Sequence, residues 1–273
     1  MMETLGSDSF EKKDLTPSYE LSPRNVELLI YDLLDKNKEL TPENSSEVII
    51  RVDGNSEYAD IARYIEETVF MREFGNSPQE MEREYNPYEK YSDFYIAIDC
   101  EANKPIAALR VIKNSENGLK TLNDATKEPF NVNSKNIEQH NKGMEDLNKV
   151  WDIGTVAKMP GYTRSSATVE LYRAVYVASL NSSIEDWVTI IDDAVHNMTT
   201  KHFGIPFEPL GDSEPGPYLG SDKSHVVCAH VPDFRETMGD HMSKAKGRLA
   251  NKIFGILVNG DSDNRIILSP IDN

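Results

Sequence analysis

The stretch WDIGTVAKMPGYTRSSATVELYRAVY, residues 151–176, constrains the fold more than any other part of the chain. Its first half has the β-branched and apolar character of a strand, and Pro160 and Gly161 interrupt that pattern. Apolar residues then recur at helical spacing: Leu171, Ala174, Val175 and Ala178. The stretch therefore predicts a strand, a turn and a helix that packs against the core.

The predicted turn ends in TRSSAT, residues 163–168, at the N-terminus of that helix. Free backbone N–H groups and the positive end of the helix dipole favour an anion such as a phosphate at this position. The junction is a candidate phosphate site, and the alternative is that it serves only as a turn.

Strand and helix patterns also alternate on both sides of this stretch. Upstream, they predict a helix at 22–37, a strand at 47–53, a helix at 56–75 and a hairpin of strands at 93–99 and 105–113. Downstream, they predict a strand at 186–193, a helix at 193–204, and strands at 205–211 and 224–234. Residues 114–148 are a long polar excursion with short helical pieces. The order predicts a mixed α/β (α+β) fold around one central sheet.

Four regions follow from this order. We expect a flexible tail at 1–21, an N-terminal helical extension at 22–45, a main domain at 46–232 and a C-terminal helical extension at 233–273. The segment GPYLGSDKSH, residues 216–225, is interpreted as a surface turn that leads into the last strand.

The charge of the chain restricts its partners. Its 29 basic and 46 acidic residues give a net charge of −17, which repels nucleic acid and anionic membrane surfaces. The longest apolar runs are shorter than the roughly 20 residues of a membrane-spanning helix. The N-terminus has no signal-peptide pattern, and the only two cysteines, Cys100 and Cys228, are expected to be free thiols. These features favour a cytoplasmic protein, and the histidine spacing favours no metal site.

The central stretch resembles the GNAT superfamily of acyltransferases. There a Pro-x-Tyr, matched by Pro160 to Tyr162, ends the strand before a glycine-rich loop that binds the pyrophosphate of coenzyme A. That loop corresponds here to Thr163, Arg164, Ser165, Ser166, Ala167 and Thr168, and none of them is glycine. The resemblance implies a central mixed, twisted sheet flanked by helices.

Other segments resemble the autoinducer (acyl-homoserine-lactone) synthase branch, which includes synthases of N-acyl amino acids. The matching positions are Val69, Phe70, Arg72, Gly75, Glu84, Tyr88, Arg110 and Asp152. Two acids of that branch are replaced, by Asn86 and Glu89, and an expected arginine is Thr155. These departures argue against S-adenosylmethionine as the acceptor and favour an amino acid or another amine.

The resemblance implies roles for particular residues. The candidate bases are Glu84, Glu89 and Asp152, and the candidate acceptor-binding residues are Arg110, Phe70 and Tyr88. Backbone groups of Gly154, Thr155 and Val156 are expected to contact the donor where this strand diverges from the strand at 186–193. Arg110 lies among apolar residues, so it needs an acidic partner, for which Glu84 and Glu89 are candidates.

Structural alternatives exist for these residues. The acids of EMEREYNPYEKY, residues 80–91, also fit a solvated face, and Arg110 also fits a structural salt bridge. Asp152 can simply brace a neighbouring loop, and Phe70 and Tyr88 can belong to the core.

The sequence thus favours an N-acyltransferase that moves an acyl group from a thioester to a small-molecule amine. The resemblance implies that the donor is the phosphopantetheine of acyl carrier protein, which would also be a partner, or acyl-CoA or acetyl-CoA. The alternatives are an acetyl-CoA-dependent N-acetyltransferase and a non-catalytic GNAT domain that binds a thioester or a partner. A homodimer is left open.

Overall fold

A computed structural model of the chain describes residues 19–40, 46–140, 144, 146–163, 165–245, 248–261 and 265–268. Its strands are β1 (Glu47–Asp53), β2 (Ser92–Asp99), β3 (Lys104–Ile112), β4 (Val150–Lys158), β5 (Asp186–Asp192), β6 (Glu208–Pro209), β7 (Gly216–Tyr218), β8 (Ser221–His230) and β9 (Arg265–Ile267). Its helices are α1 (Pro23–Lys36), α2 (Ala59–Phe74), α3 (Pro78–Tyr85), α4 (Lys120–Ala125), α5 (Ser134–His140), α6 (Ala167–Asn181), α7 (Asp193–Asn197), α8 (Phe234–Ala245) and α9 (Arg248–Phe254).

One sheet contains all of these strands. Its order is β6-β8-β5-β4-β3-β2-β1-β9, and β7 pairs with β8 beside this path. The β4–β5 and β1–β9 pairs are parallel, and the other pairs are antiparallel. The predicted mixed sheet flanked by helices is therefore confirmed.

Local sequence signals fix several helix ends. Ser22 caps α1 by accepting a hydrogen bond from the backbone N–H of Asn25 at 3.2 Å, and Pro23 occupies the first turn. Gly75 ends α2 with φ of 73°, a left-handed conformation that glycine adopts at little cost. These ends agree with the prediction from sequence, as does the hairpin of β2 and β3.

The core lies on both faces of the sheet. On one face α6 and the C-terminal helices pack over Trp187, whose ring contacts that of Phe234 at a centroid distance of 4.8 Å. On the other face α1 and α2 cover β1 and β2. Cys100 and Cys228 are not joined by a disulfide bond.

None of the helices in the described ranges has the combination of length and apolar character that crossing a membrane requires.

The structure also contains elements that the sequence did not predict. β9 adds a parallel strand beside β1, although the region from 233 onward was expected to be helical. The segment at 78–85 forms α3, which Ser77 and Glu80 close with a reciprocal capping box. Tyr19, assigned to the flexible tail, is buried at 1% exposure, while residues 1–18 of that tail lie outside the described ranges. The four-region division stays a prediction.

Candidate active site

A cleft opens in the sheet where β4 and β5 separate. These parallel strands are joined by three residue pairs only, the last of which is Asp152 with Val188. Beyond that point β4 remains paired with β3 and β5 remains paired with β8. The edge of β4 that faces β5 therefore has no strand partner past Asp152 within the described chain. The predicted divergence of the two strands is confirmed.

The cleft has an apolar part and a polar part. The apolar lining comes from α2, β4, β5, α7 and the turn after β7: Phe70, Phe74, Val156, Ile191, Val195 and Leu219. The polar lining comes from α4, β4, β5, β7 and β8: Lys120, Thr121, Asp152, Thr189, Asp192, Tyr218, Ser221 and Ser224. The segment at 216–225, predicted to be a surface turn, contributes several of these residues. Such a surface suits a ligand with one apolar end and one reactive polar end.

Asp152 lies at the closed end of the cleft and is fully buried. Its Oδ2 accepts a hydrogen bond from the backbone N–H of Thr121 at 2.6 Å, and its Oδ1 accepts one from Thr121 Oγ1 at 2.8 Å. Burial raises the pKa of Asp152 to about 6, because the loss of hydration outweighs the two hydrogen bonds from Thr121 and the charge of Lys120. A carboxyl group with this pKa is ionised at neutral pH and can still accept a proton.

The β4 edge next to Asp152 has an irregular backbone. The register between β3 and β4 shifts at Gly154, and a Cβ atom added there would lie 2.9 Å from Ile112 Cδ1. Tyr85 donates its hydroxyl hydrogen to the Gly154 carbonyl at 3.3 Å, and Thr189 donates to the Ile153 carbonyl at 2.7 Å. Glycine is favoured at this bulge because a larger residue would displace the side chain of Ile112.

A separate charge network lies behind β4. Arg110 is fully buried, and its Nε and Nη2 donate to Glu66 at 3.0 and 2.6 Å, while its Nη1 donates to Glu89 at 2.8 Å. Arg63 also pairs with Glu89, at 3.1 Å, and the hydroxyl of Tyr19 accepts from Arg110. Arg63 also pairs with Asp60 at 2.5 Å, so the two arginines are shared among Glu66, Glu89 and this aspartate. We name this set, Tyr19, Arg63, Glu66, Glu89 and Arg110, the buried network.

The buried network contacts the cleft strand at one point. Thr155 donates its hydroxyl hydrogen to Glu66, so the side chain of a cleft-lining residue is anchored from behind. The predicted acidic partner of Arg110 is Glu89, and Glu66 on α2 is a second one that the sequence did not reveal. Glu84 instead pairs with Lys120 at 3.1 Å.

The hydroxyl-rich junction lies at the other end of β4. Ser165 Oγ accepts from the backbone N–H of Ala167 at 3.0 Å and donates to Glu47 at 3.1 Å. Ser166 is the N-cap residue of α6 and makes no capping bond with its side chain. Arg164 lies outside the described residues. The described junction residues, 163 and 165–168, do not line the cleft, and the role of the junction in phosphate binding stays a prediction.

The structure brings together part of the predicted site. Asp152, Phe70, Gly154, Thr155 and Val156 all line the cleft. Four other predicted site residues, Glu84, Tyr88, Glu89 and Arg110, do not line it. Tyr88 is in a small core cluster, and its hydroxyl accepts from Asn123 at 3.0 Å. Their catalytic and acceptor-binding roles stay predictions, which this placement does not favour.

Several cleft residues were missed from the sequence. Lys120 and Thr121 belong to the polar excursion at 114–148, where no periodicity marks α4. Asp192 ends β5, and its Oδ1 caps α7 by accepting from the backbone N–H of Ala194 at 2.8 Å. A short acidic pair after a strand, DD at 192–193, was the available signal for a helix cap.

No protein-family model matches the chain, and no curated protein matches it. Several solved structures do match the chain. The chain is similar to a CoA-dependent acyl-homoserine lactone synthase, BjaI, with SAM and isopentyl-CoA, at 12% identity over 83% of this chain and 94% of that one, with a TM-score of 0.52. It is also similar to FeeM, an N-acyl amino acid synthase from uncultured soil microbes, at 13% identity over 70% of this chain and 94% of that one, with a TM-score of 0.53.

At these identities the similarity is one of fold, which does not by itself fix a substrate. The sheet order, the separation of β4 and β5 and the bulge at Gly154 agree with it. The chain has the GNAT acyltransferase fold, in a form similar to that of the acyl-homoserine lactone and N-acyl amino acid synthases.

Proposed function

We propose that the chain is an N-acyltransferase that transfers an acyl group from a thioester to an amine. The observation that carries the proposal is the separation of β4 from β5 beyond Asp152. It leaves backbone N–H and C=O groups of β4 facing the cleft without a partner strand on that side, so a ligand can supply hydrogen-bond partners. The amide groups of a pantetheine arm can pair with them as an added strand would.

Asp152 is the base in this proposal. The amine nitrogen attacks the thioester carbonyl and forms a C–N bond, while the carbonyl oxygen becomes an oxyanion. Asp152 takes the proton that the nitrogen loses, directly or through a water molecule. The C–S bond then breaks, and the proton on Asp152 passes to the leaving thiolate, so the products are an amide and a thiol. A pKa of about 6 suits both proton transfers.

The oxyanion needs a hydrogen-bond donor in a site with little water. Backbone N–H groups at 154–156 are the candidates, because this segment lines the cleft and lacks a partner strand on that side. The anchoring of Thr155 by Glu66 and of Gly154 by Tyr85 supports a preorganised backbone there.

The start of α6 bears on the identity of the donor. Ser165 already caps the backbone N–H of Ala167, and the carboxylate of Glu47 lies beside it. A negative charge at this position opposes a pyrophosphate. We therefore propose acyl-phosphopantetheine on acyl carrier protein as the donor ahead of acyl-CoA or acetyl-CoA.

Thiol release and product mass test the proposal. Purified protein is supplied with a long-chain acyl-CoA, acetyl-CoA or acyl carrier protein loaded with the same long chain, together with a panel of primary amines. We expect amine-dependent thiol release and an N-acyl product. Val156→Trp fills the cleft and should abolish both, whereas Leu180→Trp, at a position of 50% exposure on α6, should not. Equal loss in both variants, or no product with any pair, would contradict the proposal.

A further inference from the structure

The charges that line the cleft restrict the acceptor. Among the described residues, its only cationic lining residue is Lys120, and its anionic ones are Asp152 and Asp192. Which of these charges is already balanced by the protein decides what the cleft attracts, because an unbalanced charge in a poorly hydrated site favours an opposite one.

Lys120 has no hydrogen-bonding capacity left for a ligand. Its ammonium group donates to Glu84 at 3.1 Å, Asp124 at 2.6 Å and Tyr218 at 2.7 Å, which uses all three of its protons. The ammonium also lies 5.3 Å from the ring centroid of Tyr85. A carboxylate that entered the cleft would have to break one of these contacts to bind Lys120.

Arg110 does not supply a carboxylate site either. It is fully buried behind β4, does not line the cleft, and its charge is balanced within the buried network. The Thr121 backbone N–H and hydroxyl, which do line the cleft wall, are both directed to Asp152. The hydrogen-bond donors of Lys120 and Thr121 are therefore already bonded to groups of the protein.

The two cleft acids are balanced differently. Asp152 accepts from Thr121, and Asp192 accepts from Ser221 at 2.6 Å and from the backbone of Ala194. Neither makes a salt bridge with a Lys or Arg residue of the described chain, so each keeps a negative charge that neutral donors only solvate.

Ser224 adds a polar group that is available for a ligand. It is 2% exposed, it lines the cleft, and its hydroxyl makes no hydrogen bond within the described residues. Its Cα partner in β5 is Asp192, which places the two residues side by side at the same level of the sheet. A hydroxyl at this position can accept a hydrogen bond from an amine nitrogen that enters the cleft.

We infer that the acceptor is a primary amine without a carboxylate, whose ammonium form is attracted into the cleft by Asp192 and Ser224 and is then passed to Asp152. Asp192 lies four residues along β5 from Val188, the partner of Asp152, and Ser224 lies beside Asp192, so these two act on the entering amine and Asp152 acts on the attacking one. The ammonium gives one proton to bulk water before the neutral nitrogen attacks. This inference rests on the proposed function and replaces an amino acid as the acceptor. An amino acid would bring its carboxylate into a cleft whose two acids make no salt bridge with a described Lys or Arg, with no free cation among the described lining residues to receive it.

Calorimetric titration of matched pairs tests the inference. Phenethylamine is compared with phenylalanine, and isoamylamine with leucine, at neutral pH and with a non-transferable thioether analogue of the acyl donor present. We expect each amine to bind about tenfold or more tightly than its amino acid. Equal binding, tighter binding of the amino acids, or no binding of any of the four would overturn the inference.

Three variants locate the effect. Asp192→Asn keeps a side chain that can cap α7 but removes the charge, and Ser224→Ala removes the hydroxyl, so each should weaken amine binding several-fold. Asp222→Asn removes the same charge at an exposed position outside the cleft lining and should leave amine binding unchanged. Equal losses for Asp192→Asn and Asp222→Asn would mean that overall charge, not the cleft, attracts the amine.

A failure of the acceptor inference can be told apart from a failure of the proposed acyltransferase function. If amines bind preferentially and Asp192→Asn weakens them, but no thioester yields an amide, the cleft binds amines and the acyltransferase proposal fails. If an amide forms more readily from amino acids, the acyltransferase proposal stands and the acceptor inference fails.

Discussion

Two groups of buried acids lie on opposite sides of β4 and differ in what balances their charge. Behind the strand, Glu66 and Glu89 are paired with Arg110 and Arg63 at salt-bridge distance. At the cleft, Asp152 receives only the backbone and hydroxyl donors of Thr121. The arginines hold the pKa of Glu89 below its ordinary value, whereas burial raises the pKa of Asp152 to about 6.

The difference in charge balance gives Glu89 and Asp152 pKa shifts of opposite direction. Burial raises the pKa of Glu89, but Arg110 and Arg63 outweigh burial and hold it below its ordinary value. Burial also raises the pKa of Asp152, and nothing reverses it. Perturbed carboxyl groups of the second kind are the ones that mark functional sites.

The largest expected effect is on catalysis. Asp152→Asn keeps the shape of the side chain and can still bond to Thr121, but it cannot accept the amine proton. We expect the rate of acyl transfer to fall by roughly 10²–10⁴-fold, the usual contribution of a general base. Donor binding, measured by titration with the thioether analogue, should be retained. A rate within threefold of wild type, about the scatter of such measurements, would remove Asp152 from the mechanism.

The buried network should respond through stability. Arg110→Ala leaves Glu66 and Glu89 buried with fewer partners, so the free energy of unfolding should fall by about 3–5 kcal/mol. Lys149→Ala removes a partly exposed partner of Glu185 and should cost less than about 1 kcal/mol. Urea denaturation measures both. A loss at Arg110 as small as that at Lys149 would mean that the network is not stabilising.

The two regions should respond to pH with opposite sign. The folded pKa of Asp152, about 6, lies above its ordinary value of 3.8, so the folded state holds this proton more tightly. Its contribution to stability is present below pH 4 and is lost as pH rises to about 6, an amount of about 3 kcal/mol. Glu89, with a lowered pKa, contributes stability that is lost as pH falls.

Comparison of Asp152→Asn with wild type isolates the cleft carboxyl. The difference in their free energies of unfolding should shift in favour of the variant as pH rises from 4 to 6. A difference that is constant across this range would show that Asp152 has the same pKa in the folded and unfolded states.

A smaller effect is expected at the bulge. In Gly154→Ala the new methyl group would lie 2.9 Å from Ile112 Cδ1 and 3.3 Å from Arg110 Cδ, so these side chains must shift. We expect a loss of about 1–3 kcal/mol in unfolding free energy and weaker donor binding. Gly161→Ala is a comparison at a position that meets no neighbouring atom, although its φ of 95° also disfavours alanine. Unchanged donor binding in Gly154→Ala would mean that the bulge does not shape the cleft.

How much the sequence revealed depends on how local each signal was. The strand, turn and helix around β4 could be predicted because propensity and spacing agree there, and Asp152 came from a resemblance in the same stretch. Lys120, Asp192 and Ser224 could not, since they come from three distant segments that only the folded sheet brings together. The apolar neighbours of Arg110 indicated that its side chain needs an acidic partner. Its position in a strand could not reveal that Glu66, on α2, is such a partner.

The placement of the donor tests the account most directly. A crystal structure of the protein with a non-hydrolysable acyl-pantetheine thioether should show the pantetheine arm between β4 and β5, with its amides bonded to the backbone at 154–156. The carbonyl carbon should lie within reach of Asp152, and the acyl chain should contact the apolar lining near Phe70. An arm bound elsewhere, with the cleft between β4 and β5 empty or closed, would contradict the central claim that this cleft is the acyl-transfer site.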